Sequence, residues 1–128
     1  MLVALAGPAS NLILAVVFTL LFKLLYMAGV ISDSFVATSV GEIIINIFLI
    51  SIQFNVLFAV FNMLPIPPFD GSKVLFYFLP YKYKDIMYKI EQYSFFILLI
   101  LLFSGLARVI ISPFVNAITS VLWWIISL

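Results

Sequence analysis

Asp70 is the residue best placed to do chemistry in this sequence. It ends the run Asn62-Met63-Leu64-Pro65-Ile66-Pro67-Pro68-Phe69-Asp70-Gly71, directly after one of the most hydrophobic stretches of the chain. Pro65, Pro67 and Pro68 stop any helix, because each lacks an amide proton and crowds the preceding turn. A carboxylate and a flexible Gly71 follow at once. A broken helix with an acid at or near membrane depth is costly to build. It is tolerated where it is packed in protein or lines a wet cavity, and function tends to lie there. Taken alone, Asp70 has several readings. An Asp before Gly suits a turn, and an Asp can cap the helix that follows it. A hard carboxylate there can also bind a proton or a cation, or complete a zinc site if imidazoles are near.

The elements that position this stretch belong to a membrane protein. Of the 128 residues 66% are hydrophobic and 9% are charged, with a mean hydropathy of +1.35. A soluble domain is about half apolar and about a quarter charged. The length suits a single integral-membrane domain over residues 1–128, all-α, polytopic, with three to four transmembrane helices and a Pro-rich break after the second. The net charge of +1 gives no electrostatic case for nucleic acid. Membrane lipid and transmembrane protein segments are the expected partners. The chain has no Cys, which excludes disulfides and thiolate metal sites, and it has no His. The N-terminal residues lack the basic region of a cleavable signal, so the first apolar run reads as a retained helix.

The first segment is expected over residues 8–29, with Pro8 at the first helical position and Lys23 snorkelling at the far end. Small residues (Ala4, Ala6, Gly7, Ala9, Ser10, Ala15) crowd the near end and permit close helix packing. Residues 30–39 read as a short loop without Lys or Arg. The second segment, 41–64, starts with Glu42 in its first turn and carries Asn46, Gln53, Asn55 and Asn62. Asn55 and Asn62 share a face, and such amides are expected to face other helices rather than lipid.

After Gly71 a short apolar helix runs to Pro80. Residues 81–93 follow, mixing Tyr81, Tyr83, Tyr88 and Tyr93 with Lys82, Lys84 and Lys89 as an aromatic and basic interfacial belt. A third segment is expected over 93–111, broken by Ser112-Pro113. A fourth over 113–128 is marginal as a span, at about 24 Å if fully helical. Lys73, Lys82, Lys84 and Lys89 all fall between segments two and three. The positive-inside rule therefore places the 65–92 loop in the cytoplasm, in a multi-pass protein of the cell membrane. Gly7, Pro8 and Asn11 then lie at the same membrane face as Asn62 and Asp70.

Two motifs carry a family resemblance. Ala6-Gly7-Pro8-Ala9-Ser10-Asn11 resembles the Gly-Pro-x-x-Asn motif of the site-2 protease family of intramembrane zinc metalloproteases. Residues 62–71 resemble that family's Asn-x-x-Pro-x-Pro-x-x-Asp-Gly motif, which fixes five positions at set spacing. The likeness extends over residues 4–80. It implies a zinc metallopeptidase that hydrolyses peptide bonds of transmembrane substrates, with zinc held by two His of an H-E-x-x-H helix and by an Asp. On this sequence that Asp is Asp70. The resemblance also implies that Asn11, Asn62, Pro65 and Pro67 bind substrate or brace the loop. Gly7 and Pro8 would allow close packing against the metal helix, and the prolines would hold Asp70, followed by Gly71, off the helical path.

The departure from the family is the missing histidine. Without it there is no H-E-x-x-H and no catalytic residue in this sequence, which begins six residues before Gly7. One carboxylate does not make a zinc site, which takes three protein ligands plus water in catalytic proteins. The sequence is therefore expected to be a C-terminal portion of such a protease, inactive alone and without tight zinc binding. The alternative is a histidine-free relative acting as a non-enzymatic membrane adaptor or complex subunit. A small transporter using Asp70 as a proton or cation site would explain the acid but not the paired motifs.

Overall fold

The structure is a computed structural model that describes residues 2–127. Helix α1 covers Leu2–Met27, a one-turn α2 covers Asp33–Val36, and α3 covers Ser39–Asn62. The proline-rich loop leads into α4 (Asp70–Phe78), a 3-10 turn at Tyr81–Tyr83, α5 (Lys84–Gln92), α6 (Ser94–Phe103) and α7 (Leu106–Ser127). Three helices, α1, α3 and α7, are long and apolar enough to cross a membrane. The bent pair formed by 81–92 and α6 makes a fourth candidate, with a bend of 61°.

The three long helices pack around Ala15, Ile52, Val56 and Leu122. Ala15 lets α1 and α3 approach closely, and the rings of Phe18 and Phe22 meet Phe48 edge-on further along the same seam. Lys23 Nζ donates to the Ile125 carbonyl at 2.9 Å. That bond ties the last turns of α1 and α7 together and satisfies a carbonyl that the end of a helix leaves without a partner. A second cluster, Leu64, Phe69, Leu101, Ala107 and Ile111, closes the opposite end. The starts of α1 and α7 and the end of α3 therefore meet at one end of the bundle, where the proline-rich loop sits.

Local signals explain the boundaries. Thr38 caps α3 by accepting from the Gly41 amide at 3.0 Å. Ser32 caps α2 in the same way through Phe35 N, so the expected loop between the first two spans holds a helical turn. At the other end of α3 the cis Pro67–Pro68 bond lies inside the break.

The expected segments differ from the structure at two prolines and one glycine. Pro8 is not at a first helical position but inside α1. Pro113 does not break a helix but lies inside α7, which runs unbroken from Leu106 to Ser127. The break falls instead at Gly105, whose φ of 75° suits the left-handed residue that ends α6. Ser104 N closes α6 on Ile100 O, and Arg108 N opens α7 on Gly105 O. Interior prolines are tolerated in membrane helices when packing on both sides fixes the path. Here Ile111 and Leu122 are buried on either side of Pro113. The third and fourth segments thus become a 10-residue α6, about 15 Å and too short to span, and a 22-residue α7 that is long enough. Residue 128, the expected end of the fourth segment, lies outside the described residues.

A candidate metal-ligand site at the proline-rich loop

The loop is anchored by the residues around Asp70. Phe69 is buried and its ring lies 4.3 Å from that of Phe61, edge to face. Leu64 and Phe69 fill the cluster against α6 and α7. Pro67 is buried, while Pro65 is exposed at the rim. Ser72 is buried and donates its hydroxyl to Phe69 O at 2.7 Å. Gly71 is pressed so close to the loop that a side-chain carbon there would overlap the backbone carbonyl of Met63 and come within 2.6 Å of Leu64 O. Asp70 is consequently held at both neighbours by packing.

Asp70 is the first residue of α4, with Phe69 at the capping position and no side-chain cap bond. The helix-capping reading of Asp70 is therefore not what the structure shows. The prolines carry it off the path of α3, but it opens a new helix rather than lying outside helical structure. A carboxylate in a first turn is favoured by the helix dipole. Its side chain is 29% exposed and pairs with Lys73 Nζ at 2.9 Å.

The two motifs meet here. A carbon added to Gly7 on α1 would stand 3.2 Å from Asp70 Oδ2. Gly7 is thus the gap through which the carboxylate approaches α1, and Pro8 behind it is buried. Asn11 lies one turn further along α1 and is half-buried, as is Asn62 at the end of α3. Among the described residues the hydrogen-bond partner of the Asp70 carboxylate is Lys73, not either Asn. Asn55 turns its amide to Ser51 O in its own helix at 2.8 Å. Gln53 and Asn46 are exposed among the described residues, and Gln53 lines a groove with Asn116 and Thr119 of α7. Lys73 is the site residue that the sequence reading left unassigned. Its spacing of three from Asp70 on a helix is the signal that finds it.

This donor set does not fit zinc by itself. Among the described residues no three His, Cys, Asp or Glu side chains are grouped to hold a metal ion. Asp70 offers one carboxylate, and an ammonium already stands on it. Replacing Lys73 by Met should free the carboxylate while changing stability by less than about 1 kcal/mol, because a solvent-exposed pair contributes little. Unfolding of the detergent-solubilised chain checks this. A loss well above that figure would make the pair structural.

Comparison with known proteins decides the family. A model of peptidase family M50 matches residues 17–105, most of the chain and all of the second motif. The chain belongs to peptidase family M50. It is 35% identical over 116 residues to "Putative zinc metalloprotease YwhC" of Bacillus subtilis (strain 168), across 91% of this chain and 51% of that protein. It is 40% identical over 73 residues to "Putative zinc metalloprotease MJ0611" of Methanocaldococcus jannaschii, across 57% of this chain and 31% of that protein. The chain spans about half the length, or less, of these curated relatives. No solved structure matches it. The M50 match supports the membership read from the two motifs, and with it a metalloprotease family of the membrane.

Proposed function

We propose that this chain is the carboxylate-bearing part of a site-2-type intramembrane zinc metallopeptidase, which supplies Asp70 as one zinc ligand and leaves the other ligands to polypeptide outside these 128 residues. The observation that carries this reading is the contact of the two motifs: Gly7 of the first makes room for the Asp70 carboxylate of the second. Asp70 is positioned before any metal arrives, because Phe69 and Gly71 are locked on either side of it. The sequence holds no His, so the nitrogen ligands and the general base would come from an H-E-x-x-H helix packed on this end of the bundle. Zinc there would supply Lewis-acid and water-activating chemistry. The chain's own residues orient one carboxylate and shape the surroundings. Pro65, Asn62 and Asn11 at the rim are the groups proposed to brace the loop or meet an unwound substrate backbone. An apolar groove of about 360 Å³ lined by Leu12, Met63, Leu64, Pro65 and Phe114 opens beside them. It suits a hydrophobic substrate segment.

The orientation proposed is cytoplasmic for the loop end. Lys73, Lys82, Lys84, Lys89 and Arg108 follow the end of α3 or open α7, while Lys23 at the far end is engaged by Ile125 O. Lys82 and Lys84 lie over the rings of Tyr83 and Tyr81, at 4.9 and 4.2 Å, as an interfacial belt would.

One observation favours a second reading, a non-enzymatic adaptor: Asp70 is already neutralised by Lys73 without any metal. Metal analysis separates the two. The purified chain alone should hold no stoichiometric zinc. Joined at its N-terminus to a hydrophobic helix bearing H-E-x-x-H, it should retain about one zinc per chain. Failure of the joined protein to hold zinc favours the adaptor. Stoichiometric, Asp70-dependent zinc in the chain alone would overturn both the ligand count and the predicted inactivity.

A further inference from the structure

The stretch between α3 and α7 encloses an apolar cleft that has no part in the site above. The cleft holds about 320 Å³ between the proline-rich loop, α4 and α5, and is bounded by Pro65, Pro67, Leu75, Leu79, Ile86 and Ile90. At about 100° per residue, Leu75 and Leu79 stand on the face of α4 turned away from Asp70 and Lys73. Leu75, Ile86 and Ile90 stay exposed, so the chain's own side chains do not fill the cleft. Its volume is that of a site for a small apolar ligand.

The cleft lies at the membrane surface rather than in the hydrocarbon core. Leu64 after α3 and Ala107 in the first turn of α7 pack in one cluster, so residues 65–105 leave and rejoin the bundle at the same end. The helices between them have 9, 9 and 10 residues. Each is about 15 Å long or less, and none is a span. One crossing by the bent pair of 81–92 and α6 would start α7 at the wrong end. The excursion therefore stays in one leaflet.

Helix α5 suits that position. At about 100° per residue, Ile86, Met87 and Ile90 form one strip facing the cleft, Lys84 and Lys89 flank it on either side, and Asp85, Tyr88 and Glu91 fill the opposite face. An apolar strip edged by lysines is the pattern of a helix lying in the headgroup plane. Tyr83 also lines the cleft, and Lys82 stands over its ring at 4.9 Å, which brings a third ammonium to the mouth. Among the described residues the ion pair is that of Asp70 with Lys73, so Lys82, Lys84 and Lys89 have no carboxylate partner.

We infer that this cleft binds one anionic phospholipid, with an acyl chain between α4 and α5 and the phosphate on Lys84 and Lys89. The occupant follows from charge. An apolar membrane helix, whether a further segment of this polypeptide or another protein, would fill the cleft but bring no anion to three unpaired ammoniums. A zwitterionic lipid brings a phosphate offset by its own cation. An anionic phospholipid brings an apolar chain and an uncompensated charge in one molecule, and each lysine near such a headgroup favours it. The lysine stems lie along the apolar strip while their ammoniums reach the phosphate. The inference does not rest on the zinc reading, because the cleft and Asp70 lie on opposite faces of α4.

Native mass spectrometry of the detergent-purified chain tests it. Offered equal amounts of phosphatidylglycerol and phosphatidylcholine with the same acyl chains, the chain should retain one phosphatidylglycerol in preference. Lys84→Gln and Lys89→Gln should each weaken that retention about fivefold, and the double variant about thirtyfold. Arg108→Gln removes a cation at the same end that lines a different groove, and it should leave retention unchanged. All three positions are exposed, so the variants keep the fold. The chain has no cysteine, so a bimane label on a single Leu79→Cys reports on the cleft itself. In vesicles, phosphatidylglycerol with brominated acyl chains should quench it more than brominated phosphatidylcholine does. The inference is overturned if the two lipids are retained equally, or if Arg108→Gln weakens retention as much as the α5 variants. It is also overturned if neither lipid quenches the label, the result expected of a cleft closed by polypeptide.

Discussion

Replacing Gly71 by alanine is expected to destabilise the chain by about 3 kcal/mol, at the upper end of what overpacking costs. The added carbon would overlap the Met63 carbonyl group and come within 2.6 Å of Leu64 O. These are backbone atoms, and they cannot swing aside as the tip of a side chain can. They are also pinned, because Leu64 is buried against Leu101 and Ile111. Relief must come from moving α4 away from the end of α3, which pulls Phe69 out of the same cluster and away from Phe61. The damage is therefore concentrated at the loop that carries Asp70. Gly29→Ala is the control: its φ of 72° strains a side chain, but no atom lies within 4 Å of the added carbon. Its cost should stay near the 1–2 kcal/mol of a left-handed residue. Reversible unfolding in detergent, with limited proteolysis across residues 63–72 as a local readout, checks both. A Gly71→Ala chain within about 0.5 kcal/mol of the parent, with an uncut loop, would show that the loop is looser than this packing implies.

Much of this arrangement was legible in the sequence because prolines and glycines act locally. Three prolines in four positions end α3 whatever surrounds them, and Asp70 had to follow that break. Lysine placement put Gly7 and Asp70 at the same end of the bundle before any coordinates, and their side-by-side packing agrees. Isolated prolines misled for the opposite reason. Pro8 and Pro113 each remove one hydrogen bond, and a helix with packed residues on both sides of the proline absorbs that loss. The real break at Gly105 has no neighbouring proline or charge to announce it; only its positive φ reveals it. The amides show a third limit. The sequence expects Gln53 to face another helix, but which groove it lines depends on how α3 and α7 are rotated against each other, and no local pattern sets that rotation. Lys73 was visible at helical spacing from Asp70, yet the pairing gains meaning only when α4 is known to begin at Asp70 itself.

Asp70→Ala should reduce zinc retention by more than about 100-fold in a protein that joins this chain to an H-E-x-x-H helix. Removing a mere outer partner of a metal ligand lowers affinity by about 10–100-fold, and here the ligand itself is lost, leaving two imidazoles where a catalytic site uses three protein ligands. Asp70→Asn keeps the shape and one carbonyl oxygen but not the charge, so it should fall between the parent and Asp70→Ala. Lys73→Met should go the other way, because the ammonium at 2.9 Å competes with a metal for the same oxygens. Retention in that variant should be unchanged or tighter. The comparison separates ligation from folding: the Asp70–Lys73 pair is exposed, so neither Asp70→Ala nor Lys73→Met should move stability by more than about 1 kcal/mol. Zinc content measured on purified protein, beside unfolding in the same detergent, gives both readouts. An Asp70→Ala protein that keeps its zinc would remove Asp70 from the ligand set. One that loses zinc only because it unfolds would leave Asp70 as a structural residue, with the motif existing to pack α4 against α1 rather than to hold a metal.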